Sequence, residues 1–235
     1  MPKGAVFQVF APRPSLSAPG NLSRIPAMFR DAFQKLDRLE IENLMGAVNP
    51  LLDGAAFNPR TVTVLAAELS FYPGWRLLDM ADHDVVPARR VHVLYNPEAS
   101  QPLRILDWTN APIYALNRAA PLTLKDDRAV VDYVRFFFAY VRGRHGRFII
   151  AENVDDIAWK EDPPQAARKA IGNLLEPVRM TGESKDGTKT LVVRMIFKDS
   201  LFRSTVLVAP DGMVSLTDEE LVVEDMPVID DLLGQ

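Results

Sequence analysis

Hydrophobic residues are densest in residues 123–150, TLKDDRAVVDYVRFFFAYVRGRHGRFII. At 100° per residue, Arg128, Asp132, Arg135, Ala139 and Arg142 share an arc of about 80°, while Val130, Val131, Tyr133, Val134, Phe136, Phe137, Phe138, Tyr140 and Val141 occupy almost all the rest. Such a helix needs cover from several sides, so the pattern predicts a long, largely buried central helix over about 124–142. Thr123 with Asp126 three residues later predicts its capping-box-like start, and Gly143 its left-handed stop, followed by a basic turn and a buried strand, RFIIAEN. Asp132 can pair with Arg128 or Arg135 on the polar stripe.

Elsewhere the period changes repeatedly. Residues 1–23, with four prolines, predict an extended N-terminal arm. Ile25, Met28, Phe29, Ala32, Phe33 and Leu36 space a surface helix over 26–45, with a short second helix over 39–48, before NPLLDGAAFNP breaks the order. TVTVLAAELSFY, WRLLDM, RVHVLY and PLRILDW then read as short strands separated by turns, and residues 113–116 suit strand or helix. After the central helix, Asp162 and Pro163 predict the start of a helix running through AARKAIGNLLE to Pro177. VRMTGES, TKTLVVRMIF, LFRSTVLVA and MVSLTDEELVVED, joined by KDG, KDS and PDG, predict a C-terminal β-meander.

Clustered strands without regular βαβ alternation give an α+β class: a mainly antiparallel sheet curved around the central helix. Past the arm, residues 24–235 read as one α+β domain, and a subdivision near 120, into 24–120 and 121–235, is the other arrangement the pattern allows.

Composition narrows the class. The chain has 235 residues, 48% hydrophobic and 25% charged, as in ordinary globular proteins. No cysteine is present, so disulfides and thiol catalysis are excluded. The N-terminus is too short and polar in its apolar run for a secretory signal, and no stretch approaches a membrane span, which predicts a cytoplasmic protein. Residues 1–125 carry 13 basic and 11 acidic residues, the remainder 14 and 20, for a net charge of −4. This balance argues against whole-surface nucleic-acid binding.

Five features carry candidate chemistry or contact. Arg142, Arg144, His145 and Arg147, with two glycines between them, could hold a phosphate or carboxylate, against the plainer reading of a solvated turn. Asp82, His83 and Asp84, with Asp79 nearby, offer oxygen and nitrogen ligands for Mg²⁺, Mn²⁺ or non-haem iron, although no second histidine sits at a ligand spacing. Glu152, Asp155 and Asp156 form another acidic group that could supply an acid and a base. The tail LVVEDMPVIDDLL, with Met226, Val228, Ile229 and Leu232, suits docking on a partner or on a second copy. Trp75, Trp108 and Trp159 sit near strand ends, where a half-exposed indole can anchor a partner.

No serine-nucleophile, phosphate-loop or dinucleotide fingerprint is present. The leading expectation is therefore a non-enzymatic protein acting through a protein interface, a homodimer included, with no cofactor. The alternatives are a small-molecule- or metal-dependent enzyme with its pocket between sheet and central helix, and anion or nucleic-acid binding through the arginine loop.

Overall fold

The computed structural model describes residues 32–52, 54, 56–86, 88–143 and 146–229, so the arm over 1–23 lies outside the described residues. The fold is mixed α+β, with two antiparallel sheets, four α-helices and two short 3-10 turns among the described residues. Two compact units divide between Asp107 and Trp108.

The first unit holds β1 (Gln34–Lys35), α1 (Arg38–Val48), β2 (Val62–Glu68), β3 (Arg76–Asp82), β4 (Arg89–Tyr95) and β5 (Leu103–Leu106), and its sheet follows chain order, β1-β2-β3-β4-β5. Helix α1 starts where a full capping box allows it. Asp37 Oδ1 accepts from the Glu40 N–H at 2.9 Å, and the Glu40 carboxylate accepts from the Asp37 N–H at 3.1 Å. Ile41, Leu44, Met45 and Val48 then recur along one face and join Val62, Val64, Ala66, Leu78, Met80 and Val93 in one buried cluster. Each of these side chains except Ala66 contributes roughly 1.5–3 kcal/mol as an upper estimate. The helix expected over 26–45 is corrected here: Gln34 and Lys35 pair with Ala66 and Leu65 as a strand, because Asp37 cannot be both mid-helix and a cap.

The second unit holds α2 (Ala111–Ala119), α3 (Asp127–Tyr140), β6 (Arg142–Gly143), β7 (Gly146–Ile150), α4 (Gln165–Gly172), β8 (Arg179–Glu183), β9 (Lys189–Phe197), β10 (Ser200–Val208) and β11 (Val214–Val223). Its sheet runs β11-β10-β9-β7-β6. Strand β10 pairs with all of β9, so β7 and β8 share the opposite edge of β9, β7 at residues 195–197 and β8 at 189–192. Helix α3 packs against β7 and β8. Its Val130, Tyr133, Val134, Phe136 and Phe137 are fully buried and Phe138 is 2% exposed, while Asp132, Arg135 and Ala139 are half-buried. An aromatic path leaves the helix through Phe138 and Phe148 (6.3 Å, edge-on) to Phe148 and Phe197 (4.6 Å, stacked).

The ends of α3 differ from expectation. Asp126 is the cap, its Oδ1 accepting from the Ala129 N–H at 2.8 Å, and no Thr123 box forms because a carboxylate in the cap position already meets that donor. At the other end Val141 turns extended (φ −117°, ψ 133°), and Gly143 is a strand residue paired with Gly146. Gly143 is there for room: a Cβ would lie 2.9 Å from the Phe148 ring. Helix α4 begins at Gln165, not at Asp162, and ends at Gly172, short of Pro177. Successive prolines hold the residues before them extended and delay the first turn, leaving Asp162 to pair with Arg168.

The turn between β10 and β11 is fastened to the helices through Tyr133. Its hydroxyl donates to the Gly212 carbonyl at 2.7 Å and accepts from Asn117 Nδ2 at 3.0 Å, while Asn117 also donates to the Asp211 carbonyl at 3.1 Å. Tyr114 completes the fastening, its hydroxyl accepting from the Val214 N–H at 3.1 Å. Gly212 sits at φ +80°, and a Cβ there would lie 2.3 Å from Asn117 Nδ2 and 2.9 Å from the Tyr133 hydroxyl. Gly187, at φ +83° in the β8–β9 turn, has nothing nearer such a Cβ than Pro210 at 3.3 Å. Gly212→Ala is expected to cost about 2–4 kcal/mol, the left-handed penalty plus displacement of the tyrosine network, and Gly187→Ala about 1 kcal/mol, the backbone penalty alone. Urea unfolding of both variants checks the difference, and equal losses would refute the packing account.

Candidate functional site

Trp108 is the first residue of the second unit and has φ 67°. A bulky side chain in the left-handed region costs on the order of 1–3 kcal/mol and persists only where the surroundings over-determine it. Two contacts do so. The Trp108 carbonyl accepts from the Arg142 N–H at 2.8 Å, and the Arg142 guanidinium carbon lies 4.2 Å from the centre of the indole, with that of Arg147 at 5.9 Å. Arg142 and Arg147 are cross-strand partners in the β6–β7 hairpin, so one short hairpin lays two cations over one ring. Arg147 also donates through Nη2 to the Ala139 carbonyl at 3.3 Å, at the negative end of α3. Arg142 is exposed, and Trp108 and Arg147 are half-buried. Arg144 and His145, the other two residues of the expected anion loop, lie outside the described residues.

The expected metal ligands fall on one hairpin. Asp82 ends β3, His83 and Asp84 follow it in an exposed or half-exposed turn, and Asp82 Oδ1 accepts from the Asp84 N–H at 3.0 Å, so this carboxylate shapes the turn. Among the described residues no three His, Asp or Glu side chains gather as a metal site. Asp79 belongs elsewhere, since three residues along a strand place it on the opposite face from Asp82. It sits across from His92 in the β3–β4 register and is 2% exposed. Its Oδ1 lies 3.3 Å from Arg90 Nε and 3.7 Å from His92 Nε2. A carboxylate in the middle strand of a sheet, facing an arginine and a histidine, is the main buried electrostatic feature of the first unit. Folding the chain back between Val85 and Val86 brings 79 opposite 92, and that register is the signal which relates His92 to Asp79 in the sequence.

The acidic group around Glu152 is absorbed by structure. Glu152 Oε1 accepts from Arg135 Nη2 at 2.6 Å and from the Val178 N–H at 2.7 Å. Asp156 Oδ2 accepts from the Glu152 and Asn153 N–H groups at 2.9 and 3.0 Å, and Asp155 pairs with Arg168. These carboxylates tie α3 and a 3-10 turn (Val154–Asp156) to the segment before β8. In the tail, Met226 and Val228 are each 3% exposed inside the chain's own cluster with Ile157, Leu175, Ile196 and Leu201. Ile229 is 37% exposed, and Leu232 lies outside the described residues.

Burial pushes the Asp79 carboxyl above its ordinary value of 3.8, against the opposing pull of Arg90 and His83. The folded chain therefore holds this proton more tightly than the unfolded chain. The contribution to stability is fully present below 3.8 and is lost as pH rises through the folded value. Asp79→Asn carries no such loss, so its stability relative to wild type is expected to rise between pH 3.5 and 7, read by urea unfolding at each pH. A flat difference would show that Arg90 fully offsets the burial. Comparison of the chain with protein-family models, curated proteins and solved structures finds no match in any of the three.

Proposed function

We propose that this protein acts in the cytoplasm by binding another protein, without catalysing a reaction, and that Trp108, Arg142 and Arg147 form the centre of the contact. The observation that carries this reading is the φ of 67° at Trp108, a strain maintained beneath an exposed arginine. Strain of this kind concentrates at functional positions. Tryptophan and arginine are also the residue types most enriched where interfaces gain their energy, because both offer large, pre-organised contact area with a polar edge. The finer arrangement belongs to the same reading: a sheet curved around α3 as a central helix, continued by β8–β11 as a meander, gives the β6–β7 hairpin a rigid backing. The burial of α3 on all but a narrow arc supports it.

The test places a photo-crosslinking residue at Thr109, beside the patch, and irradiates cells producing the full chain. A discrete protein adduct is expected, and Arg142→Glu or Trp108→Ala should each lower its yield roughly tenfold or more. Thermal unfolding of the two variants accompanies the assay and separates lost contact from lost fold. No adduct, or one indifferent to both substitutions in folded protein, overturns the proposal.

A further inference from the structure

The strongest unassigned feature is the segment that follows β11. The chain turns at Asp225, a non-glycine residue at φ 54°, and residues 226–229 then run back over the same unit as a separate anchor. Three backbone hydrogen bonds hold the anchor. The Met226 N–H donates to the Asp199 carbonyl at 2.7 Å, the Lys160 N–H to the Pro227 carbonyl at 2.8 Å and the Ile229 N–H to the Ala158 carbonyl at 2.7 Å, the last two making the isolated antiparallel bridge between Val228 and Trp159. Met226 and Val228 fill a groove whose walls, Ala151, Ile157, Leu175, Ile196 and Leu201, all precede the hinge in sequence.

Every group the anchor meets across the groove thus lies on the other side of Asp225. A second copy offers the same groove and the same anchor, so two chains that trade anchors recover all of these contacts, and only the hinge changes conformation. That hinge favours the trade. Asp225 occupies a left-handed conformation in the closed chain, and an extended linker between two copies releases it. We propose that residues 226–229 exchange between two copies of this chain, giving a homodimer in which each groove is filled by Met226 and Val228 of the other copy. The occupant is a second copy because the groove is already shaped, side chain by side chain, to this segment. The inference is independent of the Trp108 patch, which lies on other elements.

The chain has no cysteine, so introduced thiols report the exchange cleanly. Trp159→Cys and Val228→Cys chains are purified separately, mixed and oxidised with glutathione disulfide. Residues paired across an antiparallel bridge lie within disulfide reach, so exchanged anchors give a disulfide-linked dimer containing one chain of each variant. Its yield is expected to exceed by roughly tenfold that of a control mixture of Val228→Cys with Lys185→Cys, whose partner thiol sits on the β8–β9 turn. In parallel, light scattering follows the hinge on otherwise native chains. Asp225→Val, which cannot adopt φ 54° without a clash, should raise the dimerisation constant roughly tenfold. Asp225→Gly, which adopts it freely, should lower it. Cross-linking at the control level overturns the proposal, and so does a dimerisation constant that Asp225→Val leaves unchanged.

Discussion

A helix that is apolar over most of its girth can persist in water only if other parts of the chain enclose it, and α3 sets that requirement for the second unit. Phe136, Phe137 and Phe138 point in successive directions 100° apart, so no single flat surface could cover them. Strands β7 and β8 take part of the girth, and Tyr114 of α2 stacks on Phe137 with ring centres 5.8 Å apart. Enclosure then imposes a polar condition. Tyr133 is buried with its hydroxyl, and a buried hydroxyl left unpaired costs on the order of 1–3 kcal/mol. The Gly212 carbonyl meets it, which brings the β10–β11 turn against α2 and α3 and leaves no space for a side chain at 212. One packing demand thus fixes a turn far away in sequence and, through it, the start of β11.

The longer strands of both units were legible because period-2 alternation survives wherever one face is buried. VTVLAAE, KTLVVRMIF and SLFRSTVLV all fall on observed strands, and the KDG, KDS and PDG turns lie between consecutive ones. Element ends were less legible, for a physical reason. Thr123, Asp126, Asp162 and Asp37 all resemble caps, and which one caps depends on where the chain enters the helix, a tertiary matter. The consecutive prolines 163 and 164 moved α4, and the Asp37 box converted the expected helix over 34–35 into a strand. At the candidate site, the arginines of the β6–β7 turn stood out in the sequence. The backbone of Trp108 did not, because nothing in local composition announces a left-handed tryptophan.

Asp79 shows the same limit from the electrostatic side. In the sequence it belongs with Asp82, His83 and Asp84, a run of acids and a histidine that suggests shared ligation. Strand geometry turns Asp82 to the other face, since residues three apart on a strand face opposite ways, and register brings Arg90 and His92 beside Asp79. A charge in mid-sheet is tolerable only with a cation nearby, so the Arg90 contact offsets part of what burial costs. Composition sees the acids, whereas pairing decides which are solvated.

The way the second sheet ends constrains how this chain can meet other proteins. Strand β11 is an edge, and an edge presents unpaired backbone groups to any passing strand. Two irregularities interrupt its pairing with β10, between Leu201 and Phe202 and between Arg203 and Thr205, and Asp218 adopts φ 51° within the second. Asp218, Glu219 and Glu220 add like charges along the same stretch, so two copies brought edge to edge would repel where they would need to pair. The backbone route to association is blocked at this edge. The two contacts proposed above, through the side chains of Trp108 and Arg142 and through exchange of residues 226–229, both avoid this edge. Neither proposal needs β11 to accept a further strand.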